Sequence, residues 1–242
     1  MKFFYYIYQI CIALPLFLVL TILTAVVTII GSLLGGAHFW GYYPGKIWSQ
    51  LTCYILLLPV HVVGREKLHK HTSYVFVPNH QGAFDIFLIY GFLGRNFKWM
   101  MKKSLEKIPF VGAACRISKH IMVDRSSASA IQQTMDSAKR ILKGGMSLVV
   151  FPEGSRTPDG EMKKFKRGAF SLATEFGLPI VPLTIDGSYD VMPKNTFRIT
   201  PGKISLTIHK PIYFDKVGAD NKALTEELLE KSYNVIKSGL PG

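Results

Sequence analysis

The residues best suited to chemistry lie in one short stretch, Asn79-His80-Gln81-Gly82-Ala83-Phe84-Asp85. It follows the apolar run 74–78, which reads as a short buried strand, and precedes the run 86–90, which reads as helix. A histidine at a strand's exit and an aspartate in the next helical turn can meet. The carboxylate then accepts a hydrogen bond from one imidazole nitrogen, which fixes the tautomer and leaves the other nitrogen to take a proton from a bound hydroxyl. His80 is therefore a candidate general base and Asp85 its orienter. Gly82 fits a tight turn at which a substrate could approach the backbone. The same spacing also suits a plainer arrangement, with Asp85 capping a helix and His80 in an ordinary loop.

Two further strand exits are chemically loaded. Asp124-Arg125 follows the run 120–123, and Glu153-Gly154-Ser155-Arg156 follows 148–151 and Pro152. A guanidinium grips phosphate with two parallel donors and stays charged at any physiological pH, so Arg125 and Arg156 are candidate anion ligands. Glu153 either holds an arginine or bonds a substrate hydroxyl. Lys102 and Lys103 close another strand, and Lys163, Lys164, Lys166 and Arg167 follow later. Taken singly, each lysine fits a solvated basic face equally well.

The elements that must position these groups alternate from Arg65 onwards. Strands are expected at 74–77, 97–101, 120–123, 148–151, 180–183 and 204–209. The clearest helix covers 127–143: Ala128, Ile131, Met135, Ala138 and Leu142 recur at steps of three and four, Ser126 or Ser127 can cap its start, and Gly144-Gly145 ends it. Further helices are expected at 168–176 and 223–236. The fold class is α/β, a mostly parallel sheet flanked by helices, and ligands of such sheets collect beyond the carboxyl ends of the strands.

Upstream the composition changes. No Lys, Arg, Asp or Glu separates Lys2 from Lys46, and residues 10–34 are almost wholly apolar. About 20 such residues cross a bilayer's hydrocarbon, so an N-terminal apolar helical membrane anchor is expected, either spanning or bent within the membrane. The run is longer than a secretory leader's apolar core and lacks a clear cleavage site, which favours retention. Trp40, Tyr42, Tyr43, Trp48 and Tyr54 suggest an interfacial hinge at 40–48, with Pro44-Gly45 breaking the helix. The next run, 47–63, reads either as a re-entrant helix or as a core helix packed on the globular part. The expected organisation is a membrane-embedded helical segment over 1–64 and an α/β domain over 65–242.

Apolar residues make up 48% of the chain, and the net charge is +13. Only two of the 29 basic residues precede Arg65, so nearly all the cationic excess belongs to the globular part, which seeks anions. That asymmetry also favours a domain facing the cytoplasm at the cytoplasmic membrane. Cys11, Cys53 and Cys115 have neither metal-ligand nor redox-pair spacing and read as buried and reduced. His69 and His71 lack an accompanying carboxylate cluster, so no metal and no cofactor are expected. The basic stretches lack aromatic stacking platforms, which argues against nucleic acid.

Six stretches in order carry a resemblance: Asn79-His80 with Asp85; Lys102-Lys103-Ser104-Leu105 with Ile108-Pro109-Phe110-Val111-Gly112; Val123-Asp124-Arg125; Phe151-Pro152-Glu153-Gly154-Ser155-Arg156; Phe165-Lys166-Arg167-Gly168-Ala169-Phe170; and Leu178-Pro179-Ile180-Val181-Pro182. Together they resemble the ordered motifs of the 1-acyl-sn-glycerol-3-phosphate acyltransferases over roughly residues 74–185. The family commonly has Thr where Ser155 stands, and Phe-Ile or Leu-Ile where Met122-Val123 stand. The resemblance implies transfer of a fatty acyl group from acyl-CoA or acyl-carrier protein to the free hydroxyl of lysophosphatidic acid, a membrane lipid. It implies His80 as base, Asp85 as its partner, and Arg125, Arg156 and one of Lys102 and Lys103 on the acceptor's phosphate. It also places the turn containing Glu153, Gly154 and Ser155 on the acceptor. Acylation of a different lyso-lipid, hydrolysis of a phosphoester or thioester by a membrane-tethered enzyme, and simple docking on an anionic surface are the competing expectations.

Overall fold

The computed structural model of the chain describes residues 2–124, 126–215 and 222–241. The chain begins with one apolar helix in three pieces: α1 (Lys2–Tyr8), a π-helical turn at Gln9–Ala13, and α2 (Leu14–Leu33). Over Phe3–Leu33 it is long and apolar enough to cross a membrane, and little of it is buried. A short α3 (Ala37–Trp40) turns the chain, and α4 (Tyr43–Ile55) returns antiparallel to the long helix. The Tyr8 hydroxyl donates to the Ile55 carbonyl at 2.6 Å, and the Trp48 indole N–H donates to Thr21 Oγ1 at 2.9 Å. Pro44 does not break a helix. It lies in the first turn of α4, where a missing N–H costs no intrahelical bond.

The α/β part runs β1 (Val60–Val63), β2 (Val75–Pro78), α5 (Phe84–Phe92), β3 (Phe97–Lys102), α6 (Val111–Ile117), β4 (Ile121–Val123), α7 (Ala128–Lys143), β5 (Ser147–Val149), α8 (Gly168–Phe176), β6 (Ile180–Asp186), α9 (Ser188–Val191), β7 (Ile204–Ile208) and α10 (Lys222–Ser238). Among the described residues the strands form one seven-stranded sheet in the order β1-β7-β6-β2-β5-β3-β4. Neighbours are parallel except β6 and β7.

Alternation along β2 divides the core. Tyr74 and Phe76 face α5, joining Phe84, Leu88 and Ile89, while Val75 and Val77 face α8 and α10, joining Phe170, Ala173 and Leu228. Ala138 and Leu142 of α7 pack on Leu148 of β5 on that second side. Helices therefore cover both faces, as a nearly continuous apolar β2 requires.

The boundary at residue 64 needs correcting. Val60–Val63 is not the end of an apolar helix but the edge strand of the sheet, paired in register from Val60↔Ile204 to Val63↔Thr207. Of the two readings of 47–63, packing on the globular part holds for α4, which lies against α5 with Ser49, Thr52 and Cys53 buried. Trp48 turns inward between Phe17 and Phe87, with ring centroids 5.9 and 4.8 Å away. The hairpin is thus built onto the helix whose first turn carries Asp85.

Candidate active site

Parallel pairing brings the carboxyl ends of β2, β5, β3 and β4 side by side, and the chemically loaded residues leave from those ends. His80 follows β2, the 151–156 turn follows β5, Lys102 and Lys103 end β3, and Asp124 follows β4. Arg125 lies outside the described residues.

His80 and Asp85 meet. His80 Nδ1 lies 2.6 Å from Asp85 Oδ2, and the same oxygen accepts from the Gly82 N–H at 3.0 Å. Asp85 is fully buried, whereas 14% of the His80 side chain is exposed. With Nδ1 held as the donor, Nε2 is the nitrogen able to accept a proton. The imidazole stacks on Phe151 with centroids 3.8 Å apart, and Phe151 stacks on Trp99 at 5.8 Å. Phe151 is thus a shelf that fixes the ring plane, a role the sequence did not reveal.

Gly82 serves packing rather than substrate approach. A Cβ there would lie 2.3 Å from the Ser188 carbonyl oxygen, so α9 already fills the space. Asn79 is structural as well: its amide donates to the Ile185 carbonyl at 2.9 Å and accepts from the Ile185 N–H at 2.7 Å, clipping β2 to β6 below the site.

Among the described residues Glu153 meets main-chain amides rather than an arginine. Its carboxylate is buried and accepts the His80 N–H at 2.7 Å and the Lys163 N–H at 3.0 Å. Burial raises its pKa, an effect that the two amides oppose. Glu153 therefore positions the backbone of His80. Gly154 takes φ +76°, the left-handed conformation that glycine adopts without a Cβ clash, and this turns the chain after it. Lys163 secures the turn from above, with Nζ donating to Ser155 Oγ at 2.6 Å and to the Arg156 carbonyl at 3.0 Å. No spacing rule singled out Lys163.

A cavity of about 850 Å³ adjoins His80. Its walls combine apolar groups, including Trp99, Met100, Ile131, Met135 and Val150, with His80, Lys102, Lys103, Gly154, Ser155 and Lys166. Volume and lining suit a ligand with an apolar body and an anionic group. Lys103 Nζ is paired with Asp124 Oδ2 at 2.7 Å, and that lysine together with Ser126 holds the Asp124 carboxyl well below the usual carboxylate range. Lys102 is exposed and lines the cavity. Arg156 is half-buried and, with Glu153 and Asp85, stands outside the lining.

Residues 59–186 match the family model described as Acyltransferase. The chain is 32% identical over 177 residues to a chloroplastic 1-acyl-sn-glycerol-3-phosphate acyltransferase of Arabidopsis thaliana, covering 72% of this chain and 49% of that protein. It is 30% identical to the enzyme of that name from Limnanthes douglasii, over 81% of this chain and 69% of the relative. The chain spans about half the length of several of the curated relatives it matches. The crystal structure of the 1-acyl-sn-glycerophosphate acyltransferase of Thermotoga maritima superposes with a TM-score of 0.69 at 32% identity, covering 80% of this chain and 76% of that one.

Proposed function

Because the chain belongs to the acyltransferase family, we propose that it moves a fatty acyl group from a thioester to the free hydroxyl of 1-acyl-sn-glycerol 3-phosphate, yielding phosphatidic acid. The observation that carries this reading is the 2.6 Å contact between His80 Nδ1 and Asp85 Oδ2 at the wall of a cavity that is both apolar and cationic.

In this mechanism His80 Nε2 removes the acceptor's hydroxyl proton as the oxygen attacks the thioester carbonyl, and Asp85 stabilises the resulting imidazolium. General-base help of this kind is worth about 10² to 10⁴ in rate. Collapse of the tetrahedral intermediate expels a thiolate, which needs little acid assistance because thiols ionise near pH 8.5. The donor is acyl-CoA or an acyl-carrier protein. Lys102, Lys103 and Lys166 supply cations in the cavity wall for phosphate, with Arg156 and Arg125 as further ligands, and the methionine-lined part takes the acyl chain. The apolar helical hairpin holds the enzyme at the cytoplasmic membrane, where acceptor and product reside, with the α/β domain on the cytoplasmic side.

The test is transfer of a labelled acyl group by the purified full-length chain to a panel of lyso-lipids, with and without a chelator. Phosphatidic acid should be the product, unaffected by chelation, and His80→Ala should lower the rate about 10² to 10⁴-fold with membrane binding intact. Release of free fatty acid, or indifference to the acceptor's phosphate, would overturn the assignment.

A further inference from the structure

The loop between α9 and β7 has no part in the chemistry above, yet it lies at the same end of the molecule. β6 runs parallel to β2 with Pro78 opposite Leu183, so the chain leaving β6 emerges beside the chain that leaves β2 for His80. Tyr189 donates to the Pro158 carbonyl at 3.1 Å, tying α9 to the segment beyond the 151–156 turn.

This loop displays Phe197 at 95% exposure. Local bonds hold the tip in that form: Asn195 adopts φ +68°, the Arg198 N–H donates to Thr196 Oγ1 at 3.1 Å, and the Thr200 N–H donates to the Val191 carbonyl at 2.9 Å. Leaving such a ring in water forgoes the gain of burying it. Between Val191 and Ile204 the charged residues are Lys194, Arg198 and Lys203, all cationic. The loop is also fastened to the apolar helix. Gln9, itself buried, donates from Nε2 to the Ile199 carbonyl at 2.6 Å, and Tyr5 and Tyr6 share a small cavity with Arg198, Ile199 and Pro201. Near that junction the helix exposes Phe3 at 70% and Phe4 at 74%.

We propose that the 193–203 loop is a second membrane contact, in which Phe197 enters the interface of an anionic phospholipid bilayer and Lys194, Arg198 and Lys203 meet its headgroups. Continuity with the exposed aromatic end of the helix selects a bilayer, because Gln9 fastens the loop to that end, aromatic side chains settle at the membrane interface, and basic side chains are attracted to anionic leaflets. The contact would turn the carboxyl ends of the strands, and so the mouth of the cavity, towards the surface that supplies the acceptor. The inference rests on the membrane residence proposed above.

Full-length protein carrying Phe197→Cys and Cys11→Ser is labelled with an environment-sensitive fluorophore; the remaining thiols, Cys53 and Cys115, are buried and half-buried, and the Cys11→Ser parent gives the background. The protein is mixed with phosphatidylcholine vesicles with or without phosphatidylglycerol. A blue shift and quenching by brominated acyl chains are expected on anionic vesicles, and both should weaken when Arg198 and Lys203 are replaced by Glu. Protein that floats with the vesicles while its label stays in water overturns the loop contact and leaves the anchor standing. Protein that fails to float removes the anchor and the loop contact together. A label shielded only by an acidic acyl-carrier protein would assign the loop to the donor and overturn the lipid proposal.

Discussion

At the scale of single residues, His80 depends on a network of backbone bonds. Glu153 holds the His80 N–H, the Thr157 N–H donates to the His80 carbonyl at 2.9 Å, and Lys163 fastens the turn that presents Ser155 and Arg156. Lys163→Met should loosen that turn without touching the imidazole. The expected result is a rise in acceptor KM of roughly fivefold, equivalent to about 1 kcal/mol of lost hydrogen bonding, with kcat nearly unchanged and partial recovery in Lys163→Arg. Steady-state kinetics with varied acceptor measure this, and an equal fall in kcat would place Lys163 in the chemical step. Arg156→Ala should likewise raise the KM for phosphorylated acceptors. Equal losses with an unphosphorylated lyso-lipid would remove Arg156 from the phosphate. The His80 and Asp85 pair was legible because both partners lie within one strand exit and the helical turn after it. The role of Glu153 was not, because its partners are main-chain amides 73 and 10 residues away, and amides carry no sequence signature.

At the scale of elements, α9 has four residues but sets the position of the turn after β2. Gly82→Ala would force its new methyl against the Ser188 carbonyl, where backbone rather than a pliable side chain must yield. Overpacking of this kind costs about 1 to 3 kcal/mol. The expected outcome is a lower denaturant midpoint together with a fall in activity, because the displaced turn carries both His80 and the Gly82 N–H on Asp85. Unchanged activity alongside lowered stability would separate the turn from the base. Elements with strong periodicity were readable: α7 and α8 lie within a residue of their expected limits. Short elements escaped notice, β1, α6 and α9 among them. β1 is four residues inside a longer apolar run, and only its partner β7, far along the chain, makes it a strand. α6 is a seven-residue helix of which only Val111 and Gly112 belong to a motif, and α9 is shorter still.

At the scale of the whole molecule, the long helix is held by the α/β domain at both ends. Gln9 bonds the loop before β7, and α2 packs against α6 on the far side of the sheet order. A helix of 31 residues is about 46 Å long, well above the roughly 30 Å of a bilayer's hydrocarbon. A helix tied at both ends to one domain lies along that domain rather than projecting from it through a membrane. A cysteine at Leu34, near the hairpin tip, should therefore be unreactive or labelled only from the side bearing the α/β domain when sealed vesicles meet an impermeant maleimide. Labelling solely from the opposite side would establish a crossing. An apolar stretch read alone fits both topologies, because what separates them is where its two ends are fastened.

The bond between Gln9 and Ile199 spans 190 positions of the chain. At about 5 to 20 residues per second, a ribosome adds Gln9 roughly 10 to 40 seconds before it produces the carbonyl that this amide needs. Throughout that interval a polar group sits unmet on an otherwise greasy rod, so the nascent chain must shelter it with water, lipid headgroups or a chaperone. Translation halted before residue 199 would leave the amide permanently without its carbonyl.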